Sequence, residues 1–172
     1  MSPTYKGTIG QMAIERPSDA NVFVKSEFYN NFAAVSPNGR WMAYTSDVSG
    51  RFEIYVKRYP ELGNRQLIST GGGRIPLWSR DGQELFFASL DGRQMLAVPV
   101  QSGTTLVAGR PQVLFELPML VATAGNRPYD IAPDGRFLII RSGQADVPGG
   151  TASNIILVQN WFEELKRLVP VN

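Results

Sequence analysis

The chain has no cysteine and no histidine among its 172 residues. Without cysteine there can be no disulfide and no thiolate metal site, and the redox compartment stays open. Without histidine the chain lacks the usual general base, the commonest metal ligand, and any Ser-His-Asp or Cys-His nucleophile. Long apolar runs are also missing: none approaches the roughly 18 residues of a membrane span. Met1 to Gly10 holds no signal-peptide core. As written the chain would stay in the cytoplasm, whereas a longer parent protein could be periplasmic. Charge of one sign is scarce too, with 17 basic against 15 acidic residues and a net charge of +2. The basic residues are scattered, so no nucleic-acid partner is expected. What is present is ordinary for a globular domain, 43% hydrophobic and 19% charged. The length allows one domain with a sizeable core.

The informative feature is a repeat. "VSPNGRWMAYTS" (35–46), "WSRDGQELFFAS" (78–89) and "IAPDGRFLIIRS" (131–142) share an Asn/Asp-Gly pair followed by an apolar strand. The turn glycines Gly39, Gly82 and Gly135 are offset by 43 (82 − 39) and 53 (135 − 82) residues. Asn-Gly and Asp-Gly accept positive φ at little cost, so each pair predicts a tight turn between strands. After the first phrase come "FEIYVKR" and "RQLIS"; after the second come "MLAVPV" and "QVLFEL". Short strands rich in aromatic and β-branched residues, four antiparallel strands per period, predict an all-β chain of β-propeller blades.

The phrase resembles the S-P-D-G-R-x-apolar-A-Y-x-S repeat of TolB-like propellers, over about Asn31 to Pro170. The ending "NIILVQNWFEELKRLVP" (154–170) is similar to the tail of such propellers in bacterial proteins, including the sensor-like region behind some bacterial serine/threonine kinase domains. Asn38, Arg80 and Ala132 depart from the pattern in ways expected to keep the turn chemistry. No kinase motif is present, so kinase activity is not implied.

Blades are expected at about 31–69, 74–117 and 126–159 of a single partial propeller domain, with N-terminal strands within 8–30 completing a blade. Asn160 is placed to cap a short helix over 161–168, with Glu163 as its capping-box partner and an apolar stripe of Trp161, Leu165 and Leu168. A propeller ring takes four to eight blades. About three blades leave sheet edges open, which invites pairing with another chain. Either the chain is a piece of a longer propeller, or two copies close a six-bladed, strand-exchanged homodimer.

Ligands of propellers gather at the channel mouth, so the residues ahead of each phrase are the candidates. Asn30, Asn31, Arg74, Asn126 and Arg127 are the ligand-binding candidates, because guanidinium forks suit carboxylate or phosphate. Gly71–Gly73 could bring backbone amides to an anion, but "GGGR" is no P-loop and also fits an inter-blade turn. Asp81, Asp91 and Asp134 are turn residues, and Trp41 and Trp78 fit as wedges between blades. The first reading is thus a non-catalytic module binding a peptide, protein or small anion, with no cofactor and itself as partner. The alternative is a metal-assisted ester or phosphoester hydrolase. Asn126 and Asp130 are its metal candidates, calcium its ion, and Asp130 its catalytic residue for activating water.

Overall fold

The computed structural model describes residues 7–24, 26–61, 63–117 and 126–140, and the backbone of 155–158. These residues form strands and turns only. The helix expected over 161–168 lies outside them. The elements are β1 (Ile9–Ala13), β2 (Arg16–Val24), β3 (Asn30–Val35), β4 (Trp41–Ser46), β5 (Glu53–Arg58), β6 (Gln66–Leu67), β7 (Arg74–Trp78), β8 (Glu84–Ala88), β9 (Gln94–Ser102), β10 (Leu106–Ala108), β11 (Gln112–Glu116), β12 (Tyr129–Ile131), β13 (Phe137–Ile140) and β14 (Ile155–Val158). They build an N-terminal hairpin β1-β2, a first sheet β3-β4-β5-β6, a second sheet β7-β8-β9, and a third sheet β12-β13-β14, all antiparallel. In the second sheet the long strand β9 divides its edge, pairing β11 near Gln94–Ala97 and β10 near Val100–Ser102.

The four sheets stack face to face in chain order. Phe23 and Val24 of the hairpin meet Met42, Tyr44 and Tyr55 of the first sheet. Ala43, Ile54 and Val56 of the first sheet meet Leu85, Phe87 and Val98 of the second. Phe86, Met95 and Ala97 of the second sheet meet Tyr129, Phe137 and Ile139 of the third. Side chains alternate across a strand, so β4, β8 and β9 send one set backward and the other forward. That double burial is why "MAYTS" and "LFFA" are continuously buried rather than alternating.

The repeated phrase forms the same turn in its first two copies. There the amide of the glycine donates to the carbonyl three residues back, Gly39 to Ser36 at 2.8 Å and Gly82 to Ser79 at 3.0 Å. Ser36 and Ser79 donate their hydroxyls to Asn38 (2.7 Å) and Asp81 (2.6 Å), and accept from the amides of Trp41 and Glu84. Gly39 and Gly82 take φ of 69° and 71°, the left-handed region that suits glycine. A further copy of the turn, Ser89-Leu90-Asp91-Gly92, joins β8 to β9 with the same bonds.

The third phrase keeps the glycine turn as expected, with the Gly135 amide donating to the Ala132 carbonyl at 3.0 Å and Gly135 at φ 82°, but it closes on the following strand differently. Ser36 and Ser79 close their turns on the carbonyls of Trp41 and Glu84, five residues on, whereas Ala132 closes on Arg136, four residues on. Alanine has no hydroxyl to accept the next amide, and the pairing with the preceding strand is one residue shorter: Ile131 lies opposite Phe137, where Val35 meets Met42 and Trp78 meets Leu85. A one-residue slip exchanges the two faces of a strand. Phe137 and Ile139 therefore face the preceding sheet, where an alignment on the glycines would have put Leu138 and Ile140.

Glu84, half-buried at the start of β8, has its carboxyl held above the usual carboxylate range by burial, with the charge of Asp81 adding to it. A raised folded-state value means that ionised Glu84 opposes folding at neutral pH. Glu84→Gln is expected to raise the melting temperature at pH 7. The gain should fade as pH falls through the raised value and vanish below the unfolded value of about 4.3. Paired thermal melts at pH 7 and pH 3.5 check this, and an equal gain at both would contradict it.

Candidate ligand-binding mouth

The first strands of the three sheets lie side by side and are joined across the seams. Trp78 Nε1 donates to the Ala34 carbonyl at 3.0 Å, and the Ile75 amide donates to Thr45 Oγ1 at 3.0 Å. The Tyr129 hydroxyl donates to the Ile75 carbonyl, and Arg127 Nη2 reaches the Ala33 carbonyl of the first sheet at 3.5 Å. Burial pushes the Tyr129 phenol up, against the pull of the Arg127 charge.

Asn31, Arg74 and Arg127 each stand eight residues before a turn glycine, at the same end of β3, β7 and β12. The residue after each is unusual. Phe32 and Ile75 adopt φ of 52° and 61°, and both strands carry a bulge there. Positive φ at bulky non-glycine residues costs on the order of 1–3 kcal/mol and persists only where the surroundings impose it. In β12 the matching residue is Pro128, whose ring fixes φ near −65°, and β12 pairs β13 without a bulge. The bulges re-aim Asn31 and Arg74 relative to the regular strand below them.

The candidates separate into distinct environments. Arg74 stacks its guanidinium 4.4 Å above the centre of the Phe52 ring, which itself meets Tyr29 edge-on. Asn31 carries a buried Oδ1 with no hydrogen-bond partner. Asn30 is buried and its Nδ2 donates to Gly7 O, Ser26 Oγ and Phe28 O at 2.7–3.0 Å, bracing the entry to β3. Asn126 precedes β12 and is exposed. Asp130, in mid-strand and exposed, accepts the Ile131 amide at 2.8 Å. Asn126 and Asp130 are not joined by other carboxylates: among the described residues no three His, Cys, Asp or Glu side chains gather where one ion could bind.

The glycine run is braced from below by a residue that sequence reasoning missed. Glu53 is 2% exposed, and its carboxylate accepts from Gly72 N at 3.0 Å, from Arg51 Nε at 2.6 Å, and from the Ser69 hydroxyl. Gly73 N donates to the Phe52 carbonyl at 3.0 Å. The Gly72 and Gly73 amides are thus occupied within the protein and hold Arg74 in place. A Glu at the start of a strand gives no sequence signal for this role, because two of its three partners come from a segment beyond the next strand.

No family model and no curated protein matches the chain. Among solved structures it is similar to one described as a putative TolB from Agrobacterium tumefaciens, at 22% identity with a TM-score of 0.49, covering 64% of this chain and 41% of that one. It is similar also to TolB from Acinetobacter baumannii, at 16% identity with a TM-score of 0.49, covering 87% of this chain and 45% of that one. The chain spans less than half the length of either structure.

Proposed function

We propose that the three sheets are blades of a β-propeller whose ring a second copy closes, and that the module binds a carboxylate-bearing ligand without catalysis. The observation that carries this reading is that Asn31 on β3, Arg74 on β7 and Arg127, two residues ahead of β12, hold the same position relative to their turn glycines. Stacking on Phe52 holds Arg74 by its face, so its edge N–H donors are oriented before a ligand arrives. The Asn31 amide adds hydrogen-bonding capacity at the matching position of β3. An acidic peptide or a small organic acid fits two guanidinium forks, each charge-assisted bond contributing about 1.5–3 kcal/mol.

Titration calorimetry with a short capped oligoglutamate and with citrate tests the reading. Arg74→Ala and Arg127→Ala are each expected to weaken binding by roughly 10-fold or more, with the circular dichroism spectrum unchanged. Absence of binding at millimolar ligand, or equal binding by the double variant, would overturn it. Binding of citrate but not of the peptide would assign a small-molecule site.

A further inference from the structure

Every internal seam of the stack has the same construction. The forward face of one sheet, supplied by residues such as Ala43 or Phe86, buries the backward face of the next, supplied by Leu85 or Phe137. The two ends of the stack carry the unmatched halves of such a seam. On the third sheet the forward-facing residues Leu138 and Ile140 are 45% and 59% exposed. Once the shorter third turn is counted, Leu138 occupies the position that Ala43 and Phe86 fill in the first and second sheets, and Ile140 that of Thr45 and Ala88. On the N-terminal hairpin, Ile9, Phe23 and Val24 turn toward the first sheet. Met12 and Val22 turn the other way and are 62% and 56% exposed. Gly10 stands opposite Val22 in the hairpin register, on the same outer face.

We infer that the exposed forward face of the third sheet, Leu138 and Ile140, docks head-to-tail on the Met12 and Val22 face of the hairpin in a second copy of this chain. The occupant is a second copy because the two end faces are complementary: among the described residues, a forward face with no sheet packed on it and a backward face with no sheet behind it. A heterologous contact of this kind closes when the rotation between copies is a half-turn, giving two identical seams. The inference deepens the proposed ring and rests on it. Closure would bring two sets of Arg74 and Arg127 around one mouth, so the binding site would be complete only in the dimer.

The test pairs two full-length variants, Leu138→Glu and Val22→Lys, each read by light scattering at about 50 μM with circular dichroism as the folding control. The unaltered chain is expected to be a dimer, and each variant alone should fall to the 19.0 kDa mass of one chain. Mixing the two variants should restore dimers. In the mixed pair one seam sets the introduced carboxylate against the introduced ammonium, and the other keeps Leu138 against Val22, which a symmetric end-to-end contact could not do. A monomeric unaltered chain overturns the inference, as does a dimer that both variants leave intact. A Leu138→Glu protein that loses melting temperature without changing mass would show the face covered from within the chain, and also overturns it. Carboxylate binding measured on the same samples separates the two proposals. A monomer that binds at Arg74 sinks the seam and the closed ring but leaves the carboxylate site standing, and a dimer that binds nothing sinks the carboxylate site alone.

Discussion

Phe87→Ala is expected to lower the unfolding free energy by about 3–5 kcal/mol. Phe87 is 1% exposed and sits in the seam between the first and second sheets, among Ile54, Leu85 and Val98. Its ring lies against the backbone of Gly73, so close that a Cβ there would stand 2.8 Å from Phe87 Cδ2 and 2.9 Å from Ile54 Cγ1. The walls of this seam are paired strands, which cannot move in to fill the space without breaking their own register. The cavity therefore stays open and the full cost is felt. With total stabilities of about 5–15 kcal/mol for such domains, the variant should lose a large part of its margin. Urea unfolding followed by tryptophan fluorescence measures it, since Trp78 packs in the same cluster. A loss below about 1 kcal/mol, far under the usual cost of such a truncation, would show that the seam collapses or is not the structural unit described above.

Glu53→Ala is the second large effect, expected at about 2–4 kcal/mol. The carboxylate answers the Gly72 amide, the Ser69 hydroxyl and the Arg51 guanidinium together. Its removal leaves buried donors unmatched, at about 1–3 kcal/mol for each such group. The Arg51 share is discounted because that side chain is half-exposed and reaches solvent instead. Glu53→Gln should recover only part, because a carboxamide keeps one acceptor oxygen but presents N–H groups to neighbours that are themselves donors. The consequence should also reach the mouth. With Gly72 released, the segment that positions Arg74 over Phe52 loosens, and carboxylate binding should weaken in Glu53→Ala even though Glu53 touches no ligand. Faster hydrogen exchange at Gly72 in that variant, with the Gly92 turn unchanged, would place the effect in this loop. Stability within about 0.5 kcal/mol of the unaltered chain, the range of an ordinary surface substitution, would refute the role given to Glu53.

The mouth was legible only in outline. The repeat marks Asn31, Arg74 and Arg127 as equivalent positions, because the count back from each turn glycine is local information. Nothing local distinguishes Asn30, which braces its own strand, from Asn31, whose side-chain oxygen is buried and unmatched. Nor does the sequence near Arg74 reveal Phe52 beneath it, since that ring arrives from the preceding sheet.

What five or six consecutive residues can settle is written in the chain. Ser-x-Asn/Asp-Gly specifies its own turn through a hydroxyl, a side-chain acceptor and one left-handed glycine, so strand order and the repeat could be read directly. Which face each strand buries, and where strain is stored, is settled only when the sheets meet. Ala132 removes one hydroxyl, its turn closes one residue early, and Phe137 rather than Leu138 enters the seam. Pro128 forbids the positive φ that Phe32 and Ile75 adopt. In both cases the local change is small, but its outcome depends on the neighbouring sheet that selects the buried face, and that sheet lies tens of residues away in the chain.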